Sequence, residues 1–378
     1  MRRLLLITML ISLNAQAADI NTALISHFNK YKEKEYFSGI ALSVYKPDSP
    51  IANYYIGNIG HEKNSPKINA ETLFQIGSIT KSFTAAITLQ LEKENKLQLT
   101  DNLQKWLPEY HKWSTLTIQS LLNMTSGLPN YSDSPILNAL QFEHPHQTLT
   151  SKDLIHYVYP AGTLSPPLKT GYFYSNTGYV LSGMIIEKIT KHDLAHEIQN
   201  RLIIPLKLKN TFYPLPTVDH TVAARLANGY GFNPYMNPEL VGKEVSSDSL
   251  SWAGAAGAML ANMEDVARWV KAIFVDDTIL DKSQKEKMMR SVSIKTGDFV
   301  SQVSVNDPRA FGLGIIQGYD KDIGKFWFYE GETEGFRTLY LYVPSNGIII
   351  AASFNSAVDS ENDHANELVK AVYKSLAN

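Results

Sequence analysis

Strand-forming stretches stand near the two ends of this 378-residue chain, while the long middle carries helical patterns. Residues 39–45 and 51–56 are β-rich and are separated by Pro47-Asp48-Ser49-Pro50, which predicts an antiparallel hairpin. Few strand signals return until about residue 300. Residues 311–317, 326–329, 337–343 and 347–354 then alternate or run apolar, with Pro344-Ser345-Asn346-Gly347 as a hairpin turn. Between the two groups lie helix-like segments at 101–107, 118–124, 151–158, 179–190 and 263–274, the last with Asn262 as its N-cap. Helices at 20–36 and 361–376 flank the whole. This order predicts an α+β fold: one antiparallel sheet built from both chain ends, flanked by helices, with an all-helical subdomain inserted. The α/β part is expected over about residues 18–77 and 240–378, and the helical part over about 78–239.

Such an architecture favours a ligand cleft where its two parts meet, and the first helix after the opening hairpin starts there. It begins in Gln75-Ile-Gly-Ser-Ile-Thr-Lys81 and runs to about Glu94. Ser78 and Lys81 stand three apart, close to one helical turn, so hydroxyl and amine share a face. A serine hydroxyl needs an adjacent base to become a nucleophile, and a lysine whose surroundings favour its neutral form can serve. A capped helix start with a solvated lysine reads the same way, so the pair needs support from elsewhere. Tyr174-Ser175-Asn176 offers it. In an extended loop, residues 174 and 176 point the same way. A tyrosine near a lysine can act as general base and then acid, and an asparagine amide can orient a substrate carbonyl or N–H. Packing of an aromatic, glycine-punctuated turn is the other reading of that stretch.

Composition narrows the partners. Lysine plus arginine number 35 and aspartate plus glutamate 37, a net charge of −2, which leaves no footprint for nucleic acid. Arg2 and Arg3, the apolar run from residue 4 to 13 and Ala15-Gln16-Ala17 read as a secretory signal peptide, residues 1–17, with the mature chain starting at Ala18. The run is too short to cross a bilayer, and with no cysteine there is neither a lipid-bearing thiol nor a disulfide, so no stable membrane anchor is expected. A periplasmic or secreted location follows.

Several separated stretches resemble one family in the right order. Phe74-Gln-Ile-Gly-Ser-Ile-Thr-Lys81, Leu116-Thr-Ile-Gln-Ser-Leu-Leu-Asn-Met-Thr-Ser-Gly-Leu128 and Tyr174-Ser-Asn-Thr-Gly-Tyr179 are similar to the serine β-lactamase and penicillin-binding-protein family, specifically its class C β-lactamase, D,D-carboxypeptidase and esterase branch. Pro205-Leu206, Ala224-Arg-Leu-Ala-Asn-Gly-Tyr230 and Ala253-Gly-Ala-Ala-Gly-Ala-Met-Leu260 resemble that branch too. The resemblance implies a β-lactamase/transpeptidase-like fold and a cofactor-free reaction through a covalent acyl-enzyme. Ser78 would be acylated, Lys81 would share its proton, Tyr174 would be the base and Asn176 would hold the substrate amide. The substrate would be a small molecule or peptide, a peptidoglycan-derived one included. D,D-carboxypeptidase-like activity leads, with carboxylesterase or β-lactamase action of the same fold as alternatives. A catalytically silent relative that binds cell-wall peptides is the alternative from another class.

The third motif departs from the family pattern, which is Lys-Thr-Gly or His-x-Gly on a strand lining the cleft. Here the aligned residues are Tyr329-Glu330-Gly331, followed by Glu332, whose backbone N–H would be an oxyanion donor together with that of Ser78. In the family the cation and hydroxyl attract a substrate carboxylate; here Glu330, Glu332 and Glu334 alternate along the expected strand and would repel one. Arg337 is the nearest residue able to supply a cation. His192-Asp-Leu-Ala-His196 places two imidazoles four apart, but it reads as a solvated helix end, and no metal is assigned.

Overall fold

The computed structural model describes residues 2–160, 168–235 and 238–377, with side chains from Ala17 onward. The apolar run of the expected signal peptide therefore lies outside the described side chains. Nine strands form the main sheet: β1 (Gly39–Tyr45), β2 (Ala52–Gly57), β3 (Ser291–Ser293), β4 (Phe299–Val300), β5 (Arg309–Phe311), β6 (Ile316–Asp320), β7 (Gly324–Thr333), β8 (Phe336–Val343) and β9 (Ile348–Phe354). Their order is β2-β1-β9-β8-β7-β6-β5-β3-β4, every pairing antiparallel. Both chain ends thus contribute, β1 pairing with β9 from Ile40 opposite Phe354 to Tyr45 opposite Ile349. Six helices position the site: α1 (Arg2–Tyr31), α2 (Thr80–Lys93), α3 (Asn176–Thr190), α4 (Leu194–Ile198), α5 (Met263–Phe274) and α6 (Ala365–Ala377).

Strand side chains alternate in direction, and here both directions lead into a core. Ile40, Leu42, Val44, Leu341, Ile350 and Phe354 face α1 and α6, where Ile20, Leu24, Leu368 and Val372 meet them. Ala41, Tyr329, Tyr340, Ile349 and Ala351 face the larger core that α2, α3 and α5 complete through Phe83, Ile87, Tyr179, Val266 and Trp269. Double coverage explains why β9 is buried along its whole length and reads as an unbroken apolar run. In α5 the buried residues Val266, Trp269, Val270 and Ile273 recur at three- and four-residue spacing, and Asn262 caps it by accepting the Asp265 N–H at 2.9 Å.

The structure departs from expectation in four places. The expected strand at 311–317 is split, because Gly314 at φ +70° turns the chain against α2; a Cβ there would lie 2.7 Å from the Lys81 carbonyl carbon. The short strands β3 and β4 precede the expected onset of the C-terminal group. The opening helix ends at Tyr31, and Tyr36 sits at φ 57°. Within the region expected to be all-helical, Thr211–Phe212 joins a three-stranded sheet with Phe74–Gln75 and Leu260–Ala261, and Tyr230–Phe232 pairs parallel with Ser356–Val358.

The chain ends and the middle are tied together by Asn355, which is fully buried. Its Oδ1 accepts the N–H groups of Ser38 and Gly39, both at 2.9 Å, and its Nδ2 donates to Ser38 Oγ at 2.7 Å and to the Asn228 carbonyl at 2.8 Å. Asn355→Ala leaves these buried groups unpaired, and we expect a loss of about 3 kcal/mol in urea unfolding. A loss under about 1 kcal/mol would show that the junction is held by other contacts.

Candidate active site

Two glycines let the turn before α2 approach β7. Gly77 has φ +48°, and a Cβ on it would lie 2.6 Å from the Glu332 nitrogen; a Cβ on Gly331 would lie 1.9 Å from the Ile76 carbonyl oxygen and 3.0 Å from the Ser78 nitrogen. The main chains of Ser78 and Glu332 are therefore held side by side at the wall of a cleft. A single 3-10 turn, Gly77–Ile79, leads from there into α2 and leaves Ser78 half-buried and Lys81 fully buried.

Lys81 Nζ donates to Ser78 Oγ at 2.8 Å and to the Ala256 carbonyl at 2.9 Å. On its other side Ser78 Oγ lies 2.7 Å from the Tyr174 hydroxyl, either oxygen being able to donate. Tyr174 is fixed by the backbone on both flanks: the Phe173 N–H bonds to the Met124 carbonyl at 2.8 Å, and the Ser175 N–H points at the Met124 sulfur at 3.3 Å. Asn176 is the first residue of α3, so the extended loop expected through 174–176 ends at Ser175. The Asn176 N–H bonds to Asn130 Oδ1 at 2.9 Å and its Nδ2 donates to Ser132 Oγ at 3.0 Å, while its Oδ1 is buried with no partner among the described residues. Ser78, Tyr174, Asn176, Tyr329, Glu330, Gly331, Glu332 and Arg337 border one cleft of about 610 Å³.

Burial lowers the pKa of the Lys81 ammonium below its ordinary value, and the negative charge that Tyr174 can carry pulls it part of the way back. For Tyr174 burial raises the pKa, but the Lys81 charge and the hydrogen bond to Ser78 outweigh it, so the phenol is more acidic than usual. The charge on each group therefore bears on the protonation of the other.

The third-motif residues divide by face. Tyr329 turns inward, buried and edge-on to Phe311 at 5.9 Å, and burial pushes its phenol far above the ordinary range, so it stays neutral. It is near enough to make Tyr174 more acidic, although the Tyr329 oxygen is out of line for a hydrogen bond. Glu330 and Glu332 occupy the opposite, solvent-open face of β7, and Glu334 lies in the turn beyond its end. Glu330 Oε1 accepts from Asn366 Nδ2 at 2.9 Å. Glu332 is reached by solvent yet surrounded by protein in the cleft. That surrounding raises its pKa to about 7, with Arg337 lowering it and Asp363, Glu334 and Glu330 raising it.

Arg337 does not present a cation to the cleft. It is 4% exposed, and its guanidinium donates to the Ser356 carbonyl at 2.9 Å and to Asp363 at 2.6 Å. It also lies 2.8 Å from Glu35, as a charge contact out of line for a hydrogen bond. Arg337 thus borders the cleft as expected, but with its guanidinium engaged by protein acceptors. The supporting contacts from Ala256, Asn130, Ser132 and Asp363 had no signal in local spacing, since all four are brought in by tertiary packing.

The profile of the family described as Beta-lactamase matches residues 24–374. The chain belongs to that family. It is 25% identical over 348 residues to penicillin-binding protein 4* of Bacillus subtilis, covering 89% of this chain and 72% of the relative. The structure is similar to a D-stereospecific amidohydrolase from Streptomyces sp., with a TM-score of 0.75 at 26% identity over 94% of this chain and 98% of the other. The fold also matches a D-amino acid amidase from Ochrobactrum anthropi SV3, with a TM-score of 0.78 at 23% identity, covering 96% and 99% of the two chains. The β-lactamase-family fold and membership in a family of acyl-serine hydrolases are thereby established.

Because Tyr174 raises the pKa of Lys81, removing the phenol moves the lysine further down. For Tyr174→Phe we expect hydrolysis of an activated ester to fall by ~10²–10⁴-fold, with the acid limb of the residual kcat/KM displaced to lower pH. A displacement to higher pH would contradict the coupling.

Proposed function

We propose that this protein is an exported serine hydrolase that cleaves amides or esters through an acyl-Ser78 intermediate and disfavours substrates with a carboxylate beside the scissile bond. The observation that carries the first part is Ser78 Oγ bonded at once to Lys81 Nζ and the Tyr174 hydroxyl. Ser78 Oγ attacks the carbonyl carbon while its proton passes to the Lys81–Tyr174 pair. Backbone N–H groups of Ser78 and Glu332 hold the developing oxyanion, and Asn176 orients the acyl amide. Tyr174 then protonates the leaving amine or alkoxide, and water repeats the sequence to release the acid.

The second part rests on charge. A neutral phenol stands where the family motif has a cation, Arg337 is engaged by Glu35 and Asp363, and Glu330, Glu332 and Glu334 border the opening. A terminal carboxylate, as in D,D-carboxypeptidase substrates or penicillins, meets repulsion there, whereas an ammonium group is attracted. The reading therefore moves from carboxypeptidase towards an amidase, aminopeptidase or esterase. The names of the Streptomyces and Ochrobactrum proteins support a D-configured amide as substrate. Export is part of the same proposal: the first buried described residue is Ile20, so cleavage after Ala17 removes no described core contact.

Intact-mass measurement of the mature chain tests the chemistry. A fluorophosphonate is expected to add to the protein and not to Ser78→Ala, benzylpenicillin is expected to add to neither, and the exported mass should begin at Ala18. Penicillin labelling would restore the carboxylate-binding reading, and no label from either reagent would leave a silent binding protein. For specificity, an alanine amide of D configuration with a free amine should be turned over at least ~10-fold better than its N-acetyl form at pH 7.5. That preference should grow as pH rises through about 7, where Glu332 ionises, and should shrink in Glu332→Gln. An unchanged preference in the variant would remove Glu332 from substrate selection.

A further inference from the structure

The corner between α3 and α4 gathers His192, His196 and Glu197, a cluster the acyl-serine chemistry does not use. Asp193, placed by sequence between the imidazoles, is turned away to cap α4, its Oδ1 accepting the His196 N–H at 2.7 Å. Glu197 takes its place. Its Oε1 lies 3.0 Å from His192 Nδ1 and 3.4 Å from His196 Nδ1, and the three side chains can each bring one ligand atom within 4.8 Å of the others. Tetrahedral zinc with bonds of about 2.0–2.1 Å sets its ligand atoms ~3.4 Å apart, so both nitrogen–oxygen spacings suit a single ion with little movement.

The surroundings have the form of a metal site's outer layer. Glu197 is 5% exposed in its side chain, and its other oxygen accepts from Arg201 Nε at 2.5 Å. Arg201 is anchored in turn by Glu94 at 2.5 Å, at the end of α2. This chain of hydrogen bonds fixes the carboxylate's direction. The imidazoles are about half exposed, at 54% and 49% of their side chains, so they are free to turn and a water can complete the coordination.

We propose that His192, His196 and Glu197 form a binding site for one transition-metal dication of the zinc class, separate from the catalytic cleft. Two imidazole nitrogens and one carboxylate oxygen suit zinc, cobalt or nickel and disfavour calcium and magnesium, which take oxygen ligands. On binding, each neutral imidazole presents its Nδ1 lone pair with its proton on Nε2, and the hydrogen bonds to Glu197 are exchanged for bonds to the ion. The ion would pin the start of α4 to the end of α3, the helix whose other end carries Asn176.

The test uses the tag-free mature chain, stripped with a chelator and titrated with Co²⁺ and Zn²⁺. One equivalent of Co²⁺ should produce the intense visible bands of a tetrahedral ion, and Zn²⁺ should displace them. Zn²⁺ should raise the melting temperature by a few degrees while Mg²⁺ does not. His192→Ala or His196→Ala should weaken binding at least ~10-fold and the double variant should abolish it. Fluorophosphonate labelling of Ser78 in each variant confirms that the fold is intact. Absence of saturable Co²⁺ binding below ~100 µM, or binding that survives in the double variant, would overturn the proposal.

Discussion

The site depends on an amine buried, among the described residues, without a carboxylate partner. Lys81 is fully enclosed, and among the described residues its nitrogen donates to the Ser78 hydroxyl and the Ala256 carbonyl. An ammonium ion in such a place is poorly solvated, so the environment drives it towards the neutral, basic form. A nearby carboxylate would have relieved that strain and fixed the proton on lysine. Its place is taken by Tyr174, a group that bears negative charge only when it has given up a proton. Lys81 is thereby better able to act as a base at neutral pH and Tyr174 is more acidic than an ordinary phenol, the combination that the proposed transfer to and from Ser78 would use.

The fold exists, in this respect, to bring three distant stretches to one point. Ser78 and Lys81 come from the turn after the N-terminal hairpin, Tyr174 from the helical middle, and the Glu332 main chain from the C-terminal strands. The close contact between Gly77 and Gly331 is a backbone contact, indifferent to the side chains beside it. That explains how Tyr329 and Glu330 can replace a cation and a hydroxyl while the wall of the cleft keeps its shape.

Much of this was legible in the sequence because it was local or strongly apolar. The three-residue spacing of Ser78 and Lys81 places them on one helical face, and β1, β8 and β9 are covered on both sides and so read as continuous apolar runs. Less was legible where tertiary approach decided the outcome. Gly314 breaks an apolar stretch because α2 lies against it; β3 and β4 are too short to carry a period. The direction of Arg337 depends on Glu35 and Asp363, which stand far from it in sequence. His192 and His196 showed their spacing, but Glu197 as their common partner emerged only when Asp193 was seen capping the helix.

The altered third motif bears on chemistry as well as recognition. A cation at position 329 would add a second positive charge near Tyr174 and make its phenol more acidic still. With Tyr329 neutral, Lys81 is the cation that acts on Tyr174, and what Tyr329 contributes is the weaker influence of a neighbouring hydroxyl. The acidity of Tyr174 thus owes most to Lys81, while the basicity of Lys81 is set first by burial and then by Tyr174. Loss of the Tyr174 phenol would leave Lys81 lowered by burial alone, and loss of the Lys81 charge would leave Tyr174 raised by burial, so a change at either group shifts the other. The same neutral residue at position 329 that underlies the proposed disfavour of carboxylates also leaves Lys81 as the cation nearest to Tyr174 in its effect.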